Sequence, residues 1–193
     1  MSELRVDPLT GLKTIIAAAR AGRPGGHFDL EAPPPIDVEK DPFALGHEEQ
    51  TPPEVYAVRP NGGGPDSPGW TVRVVPNLYP ALEPDAPEPE PHANPDLYTA
   101  TAAAGHHEVI VNAPDPVSSL TDLTGDQVLT AMDAWRERMR EHDACACRHL
   151  IVNERREAGA SLPHTHAQLY ALRFVPAPIA REREHFTLSL IHI

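Results

Sequence analysis

Proline sets the scale of structure in this chain. Twenty-three of its 193 residues are proline. A proline inside a helix or a central strand removes a backbone donor and clashes with neighbouring backbone, so regular elements must be short or lie in the gaps. Residues 31–53, rich in proline and charge, read as loop. Residues 83–96 are acidic, proline-rich and aperiodic, which predicts an extended, mobile surface loop. Short apolar or alternating runs at 14–19, 55–58, 70–75, 107–112, 149–153 and 167–175 read as strands. A helix is expected over 125–142. Thr124 and Gln127 form a capping box there, and Val128, Leu129, Met132, Trp135 and Met139 recur on one face. Another helix is expected to begin within 177–185. Strands with one well-marked helix imply an α+β fold, a mainly antiparallel sheet with one long helix packed on it, as a single domain over 1–187.

The charge balance removes whole classes of function. Sixteen Lys and Arg against 28 Asp and Glu give a formal charge of −12. Such a chain has no electrostatic reason to bind nucleic acid or an anionic membrane. No apolar run approaches the roughly 20 residues that span a bilayer. Met1-Ser2-Glu3-Leu4-Arg5 lacks the order of a signal peptide. Cys145 and Cys147 are too close for an ordinary disulfide and read as reduced thiols. A cytoplasmic protein is expected. The last six residues, 188–193, follow without a cap or stop signal and coincide with the translation of a transposon-end sequencing adaptor. They are expected to be a non-native tail on a chain that naturally continues.

The chemistry concentrates in residues 153–168, from Asn153 through Ala158-Gly159-Ala160-Ser161 to Leu162-Pro163-His164-Thr165-His166-Ala167-Gln168. In an extended chain, side chains two apart share a face, so His164, His166 and Gln168 are expected to project together. The small residues before them let backbone N–H groups approach an anion. Two imidazoles and an amide beside such a loop suit a phosphate, one imidazole attacking phosphorus and the rest holding oxygens. The same His-x-His spacing suits Zn²⁺, and with eleven histidines in the chain it also arises by chance.

Several ordered blocks resemble the galactose-1-phosphate uridylyltransferase family of the histidine-triad superfamily, whose motif usually reads His-Pro-His-x-Gln. They are Arg20-Ala21-Gly22-Arg23-Pro24, Asp41-Pro42-Phe43-Ala44-Leu45-Gly46-His47-Glu48, Thr51-Pro52-Pro53-Glu54, Trp70–Pro80, Gly105-His106-His107-Glu108-Val109 and the His164 segment. The resemblance covers nearly the whole chain. It implies a histidine-triad-like domain, the N-terminal half of a nucleotidyltransferase. His166 is then the nucleophile on the α-phosphorus of a UDP-sugar, forming a uridylyl-histidine that a second hexose 1-phosphate resolves in ping-pong order. Gln168, where hydrolase branches carry a third histidine, implies a phosphate contact and a transferase. Ser161, Asn153 and His164 match further phosphate-site positions. Asn77 and Leu78 match the uridine-binding pair, although Asn77 between two prolines also reads as a turn residue. Arg20 and Arg23 match residues that reach a nucleotide sugar across a homodimer, or make a solvated surface pair. The motif is shared with adenylyl-transferring relatives, the dinucleoside-tetraphosphate and ADP-sugar phosphorylases. A non-catalytic nucleotide-binding relative is the third reading.

The sequence departs from the family at its structural zinc. The positions of two cysteines and a histidine hold Asp41, Ala44 and Pro116, which leaves His164 from the usual set. One surviving ligand does not make a four-ligand site, so no zinc is expected there, an improvised set of Asp41, His47 and His164 being the exception considered. Glu182 falls at the first ligand of a second family metal site, whose other ligands are expected beyond residue 193. Thr165 stands where the motif has proline.

Overall fold

The computed structural model describes residues 2–22, 33–91, 93–94 and 97–191. They form two compact units, one of residues 1–32 with 175–193 and one of residues 33–174. Among the described residues every proline lies outside strands and helices except Pro76, at the end of a strand, and Pro178, in the first turn of a helix. Both positions tolerate the missing N–H. No helix among the described residues is long and apolar enough to cross a membrane.

The larger unit is built on a five-stranded antiparallel sheet. Its strands are β3 (Tyr56–Val58), β4 (Val72–Pro76), β5 (Gly105–Val111), β6 (Cys147–Val152) and β7 (His166–Leu172), in the order β3-β4-β5-β7-β6. The smaller unit carries the hairpin of β1 (Ser2–Val6) and β2 (Lys13–Ala17) and the helix α2 (Ala177–Ile191). The run expected as a strand over 14–19 therefore splits, strand to Ala17 and then a 3-10 turn over Ala18–Gly22. In 83–91 the chain is irregular. It is tied back where Glu83 bridges Ala104 and accepts the Gly105 N–H.

Alternation along the central strands separates two faces. Ala167, Leu169 and Ile110 point to one side and pack with Val72 and Val74 against α1 (Gly125–Glu141). Ala131 and Ala134 let α1 approach closely, and Trp135 fills the space beside them. The capping box is present, with Thr124 accepting from Gln127 N–H and the Gln127 side chain accepting from Thr124 N–H. A buried ion pair fastens α1 to β5, Arg138 donating to both oxygens of Glu108 at 3.0 and 2.7 Å. Gly105 is obligatory at the start of β5, because a Cβ there would collide with the Ala171 carbonyl.

The opposite face carries Val75, Val109 and Val111 with Phe43 and Trp70. It also carries His107 on β5 and His166, Gln168 and Tyr170 on β7, in the register Val111 to His166, Val109 to Gln168 and His107 to Tyr170. The helix side of the sheet is therefore closed by apolar packing, and the other side gathers His107, His166, Gln168 and Tyr170. Leu169 has no solvent exposure whereas Leu78 is 61% exposed. Leu169→Ala should lower unfolding stability by about 2–5 kcal/mol in urea titration, and Leu78→Ala should change it by less than about 0.5 kcal/mol.

Candidate active site

His166 opens β7 and is buried. Its Nδ1–H donates to the His164 carbonyl at 2.7 Å. A neutral imidazole carries one proton, so this bond leaves the lone pair at Nε2, which has no protein partner among the described residues. Burial pushes the ring below its ordinary pKa, against the opposing pull of the bond to the His164 carbonyl. The edge of Phe43 packs on it, with ring centroids 5.5 Å apart. The result is a neutral imidazole with a fixed tautomer and a free nucleophilic nitrogen.

His164 does not join His166 and Gln168 on the sheet face. It lies just outside β7, with its side chain fully buried. Its Nδ1 is 2.6 Å from Asp41 Oδ2, and its Nε2 donates to the Ala113 carbonyl at 2.8 Å. Asp41 uses its other oxygen to accept the Phe43 N–H. Thr165, in the motif's proline position, donates its N–H to the Val117 carbonyl, which proline cannot do. Its hydroxyl oxygen accepts from Asn112 Nδ2, and Asn112 Oδ1 in turn accepts the Trp135 indole N–H. The His164-Thr165-His166 segment is thus clasped from both sides.

The residues present do not fit the family's structural zinc. Both nitrogens of His164 already face oxygen, so neither offers a lone pair to a metal. Ala44 and Pro116 supply no ligand atom. The improvised alternative of Asp41, His47 and His164 loses its central ligand for the same reason, because the His164 ring is committed to Asp41 and to the Ala113 carbonyl. Among the described residues no group of three or more His, Cys, Asp or Glu is placed to hold a metal ion.

Gln168 shares the sheet face with His166. Its Oε1 accepts from His107 Nε2–H at 2.9 Å and from the Tyr170 hydroxyl at 3.1 Å. Asn77 follows β4 and is held by its own turn, its Oδ1 accepting the Tyr79 N–H while its backbone N–H donates to the His107 carbonyl. Leu78 beside it is exposed. Asn153 follows Val152, whose partner is Ala167, and so sits at the same end of the sheet as His166. Ser161 is exposed on the preceding loop. The small-residue loop offers fewer amides than its sequence implied, because Ala158, Gly159 and Ala160 N–H groups bond the carbonyls of Arg155 and Arg156. Arg20 is exposed in the smaller unit, and Arg23 lies outside the described residues. Glu182 is half-buried on α2. His107, Tyr170 and Phe43 were not assigned a role from sequence. Counting residues in twos along β5 and β7 would have placed His107 on the face of His166.

A buried charged network secures the loop that carries Asp41. Arg73 donates to Glu54 and Asp66, to the Thr51 hydroxyl and to the Glu48 carbonyl, and Trp70 Nε1–H donates to Glu48. Glu48 and Glu54 come from the blocks that resembled the family, and here both are structural anchors.

The model of the galactose-1-phosphate uridyl transferase N-terminal domain matches residues 1–176, and the chain belongs to that family. Arabidopsis thaliana ADP-glucose phosphorylase is 30% identical over 184 residues, 92% of this chain and 50% of the relative. Thermotoga maritima galactose-1-phosphate uridylyltransferase is 29% identical over 182 residues, 93% of this chain and 49% of the relative. The crystal structure of the Arabidopsis ADP-glucose phosphorylase with bound ADP-glucose matches with a TM-score of 0.76 at 27% identity, covering 100% of this chain and 55% of that one. A uridylyltransferase structure matches with a TM-score of 0.60 at 28% identity, covering 100% and 52%. The chain spans about half the length of the curated relatives it matches along most of its own length.

Asp41 should bear the load that a metal would otherwise carry. Asp41→Ala removes one partner of a buried pair and should cost about 3–5 kcal/mol in chemical denaturation. EDTA should leave the wild-type midpoint unchanged. A midpoint that falls with EDTA, or an Asp41→Ala protein of full stability, contradicts the assignment.

Proposed function

We propose that this chain carries the nucleophile-bearing half of a nucleotidyltransferase that works through a covalent nucleotidyl-histidine. One observation carries the reading: His166 donates Nδ1–H to the His164 carbonyl and keeps its Nε2 lone pair free. That lone pair attacks the α-phosphorus of a nucleoside diphosphate sugar. A P–N bond forms, the bond from the α-phosphorus to the bridging oxygen breaks, and hexose 1-phosphate leaves with the electron pair. The imidazole becomes cationic in the adduct, and the His164 carbonyl already faces the Nδ1–H that carries part of this charge. A second hexose 1-phosphate then attacks the same phosphorus, and His166 leaves neutral. Catalysis of this kind rests mainly on positioning and charge stabilisation. Gln168 contributes amide donors to the phosphate and cannot serve as a base, which favours transfer over hydrolysis.

UDP-glucose as donor and galactose 1-phosphate as acceptor is the first reading, by family. A second reading is adenylyl transfer from an ADP-sugar or a dinucleoside tetraphosphate. It is supported by the likeness to ADP-glucose phosphorylase, which extends along 92% of the chain with the higher of the two TM-scores. Asn77, Leu78, Asn153 and Ser161 belong to the proposed nucleotide site. Arg20 and Arg23 would contact a nucleotide sugar across the interface of a cytoplasmic homodimer.

Intact mass after incubation with UDP-glucose, ADP-glucose, ATP or a dinucleoside tetraphosphate tests the proposal, with His166→Asn as control. A uridylyl-sized gain that the control lacks is the expected result. An adenylyl-sized gain moves the assignment to the second reading. No gain from folded protein with any of the four overturns a covalent His166 in this chain.

A further inference from the structure

We propose that His107 is a positioning residue that fixes which end of the Gln168 amide faces the substrate phosphate. The inference rests on the nucleotidyl-transfer reading and deepens it at one side chain.

A glutamine amide is ambivalent, because one end accepts and the other donates. Beside a phosphate only the donor end attracts. Turned the wrong way, Gln168 would set its oxygen against phosphoryl oxygens. Something must therefore choose the orientation, and the choice is written in the network behind the residue. Gln168 Oε1 accepts from both His107 Nε2–H and the Tyr170 hydroxyl. His107 Nε2–H can only donate, so it identifies the facing atom as the oxygen, and the Tyr170 hydroxyl then joins it as a second donor. The Nε2 amide group of Gln168 has no protein partner among the described residues, so its hydrogens are left for a ligand.

His107 donates from Nε2 because its other nitrogen is occupied. The Ala81 backbone N–H, a donor that cannot reverse, points at His107 Nδ1 at 3.0 Å. A neutral ring that accepts at Nδ1 must carry its proton at Nε2. The ring lies flat against Tyr170, with centroids 4.1 Å apart and planes 23° from parallel. It is only 6% exposed, and burial lowers its pKa, which keeps it neutral. The backbone of one loop thereby sets a tautomer, the tautomer sets an amide, and the amide presents donors on the face of His166. Asn77 completes the arrangement. Its Nδ2 lies 3.1 Å from His107 Nε2, a nitrogen that already carries a proton, so the ring cannot satisfy those hydrogens. With Asn77 Oδ1 held by Tyr79 N–H, the Asn77 amide also keeps its donor end available.

The test joins kinetics to a direct view of the amide. His107→Phe keeps a ring against Tyr170 and deletes the donor, Tyr170→Phe deletes the second donor, and His107→Gln restores an N–H of similar reach. Adduct formation with UDP-glucose and ADP-glucose is followed by intact mass against nucleotide concentration. In parallel, the side-chain NH2 signals of Gln168 in ¹⁵N-labelled protein are titrated with UMP and with AMP. His107→Phe should slow the maximal rate of adduct formation by roughly 10–100-fold with little change in the half-saturating concentration. Tyr170→Phe should slow it less, and His107→Gln should recover part of the loss. The wild-type Gln168 NH2 signals should shift with nucleotide and lose that response in His107→Phe. Unchanged rates and an unchanged Gln168 response in His107→Phe, or in Tyr170→Phe where His107→Phe does not fold, overturn the proposal. If wild type forms no adduct, the transfer reading fails by itself, and the Gln168 response to UMP or AMP still decides the role of His107.

Discussion

The site depends on the contact between Asp41 and His164. Both side chains are excluded from water, and their atoms meet at 2.6 Å. A buried carboxylate or imidazole alone is costly, and pairing removes most of that cost. The pair holds the His164 ring, and with it the backbone carbonyl that receives His166 Nδ1–H. The His166 tautomer is thus held through two hydrogen bonds in series, His164 to Asp41 and His166 to the His164 carbonyl. In a chain that lacks the cysteines of its family's metal site, a carboxylate and a histidine hold the same segment by hydrogen bonding.

Around this contact the sheet divides its labour. One face is closed by α1 through small residues, Trp135 and the Glu108 to Arg138 pair. The other carries His166, Gln168, Tyr170 and His107 over a short apolar floor of Val75, Val109 and Val111. A strand makes this possible cheaply, since neighbouring residues face opposite ways. Ala167 and Leu169 lock β7 into the core while His166 and Gln168, between and beside them, remain available. Arg73 links the two requirements. It sits on the face of His166 and anchors the loop that delivers Asp41 and Phe43 to the histidines.

The parts of this arrangement that were legible in sequence are those with local signals. The capping box at Thr124 and the periodic face behind it located α1 within one residue of its end, with His142 as its cap. Alternation located the central strands, and the His164 to Gln168 spacing drew attention to the right segment. The parts that were not legible join distant positions. Asp41 and His164 are 123 residues apart, and His107 and Gln168 are 61 apart. No periodicity connects such pairs, and topology alone brings them together. The shared face expected for His164, His166 and Gln168 holds for two of the three, because β7 begins at His166. β1 escaped notice for a different reason. None of its five residues is buried, so its pairing with β2 rests on hydrogen bonds and leaves little apolar signature.

The central claim is that His166 is held neutral, protonated at Nδ1 and free at Nε2. Protein labelled with ¹⁵N in its histidine rings tests it directly at neutral pH, with His166→Asn to assign the signals. The account predicts that the His166 Nδ1 resonance is of the protonated type and the Nε2 resonance is of the lone-pair type. A His166 ring protonated at Nε2 alone, or at both nitrogens, would contradict it.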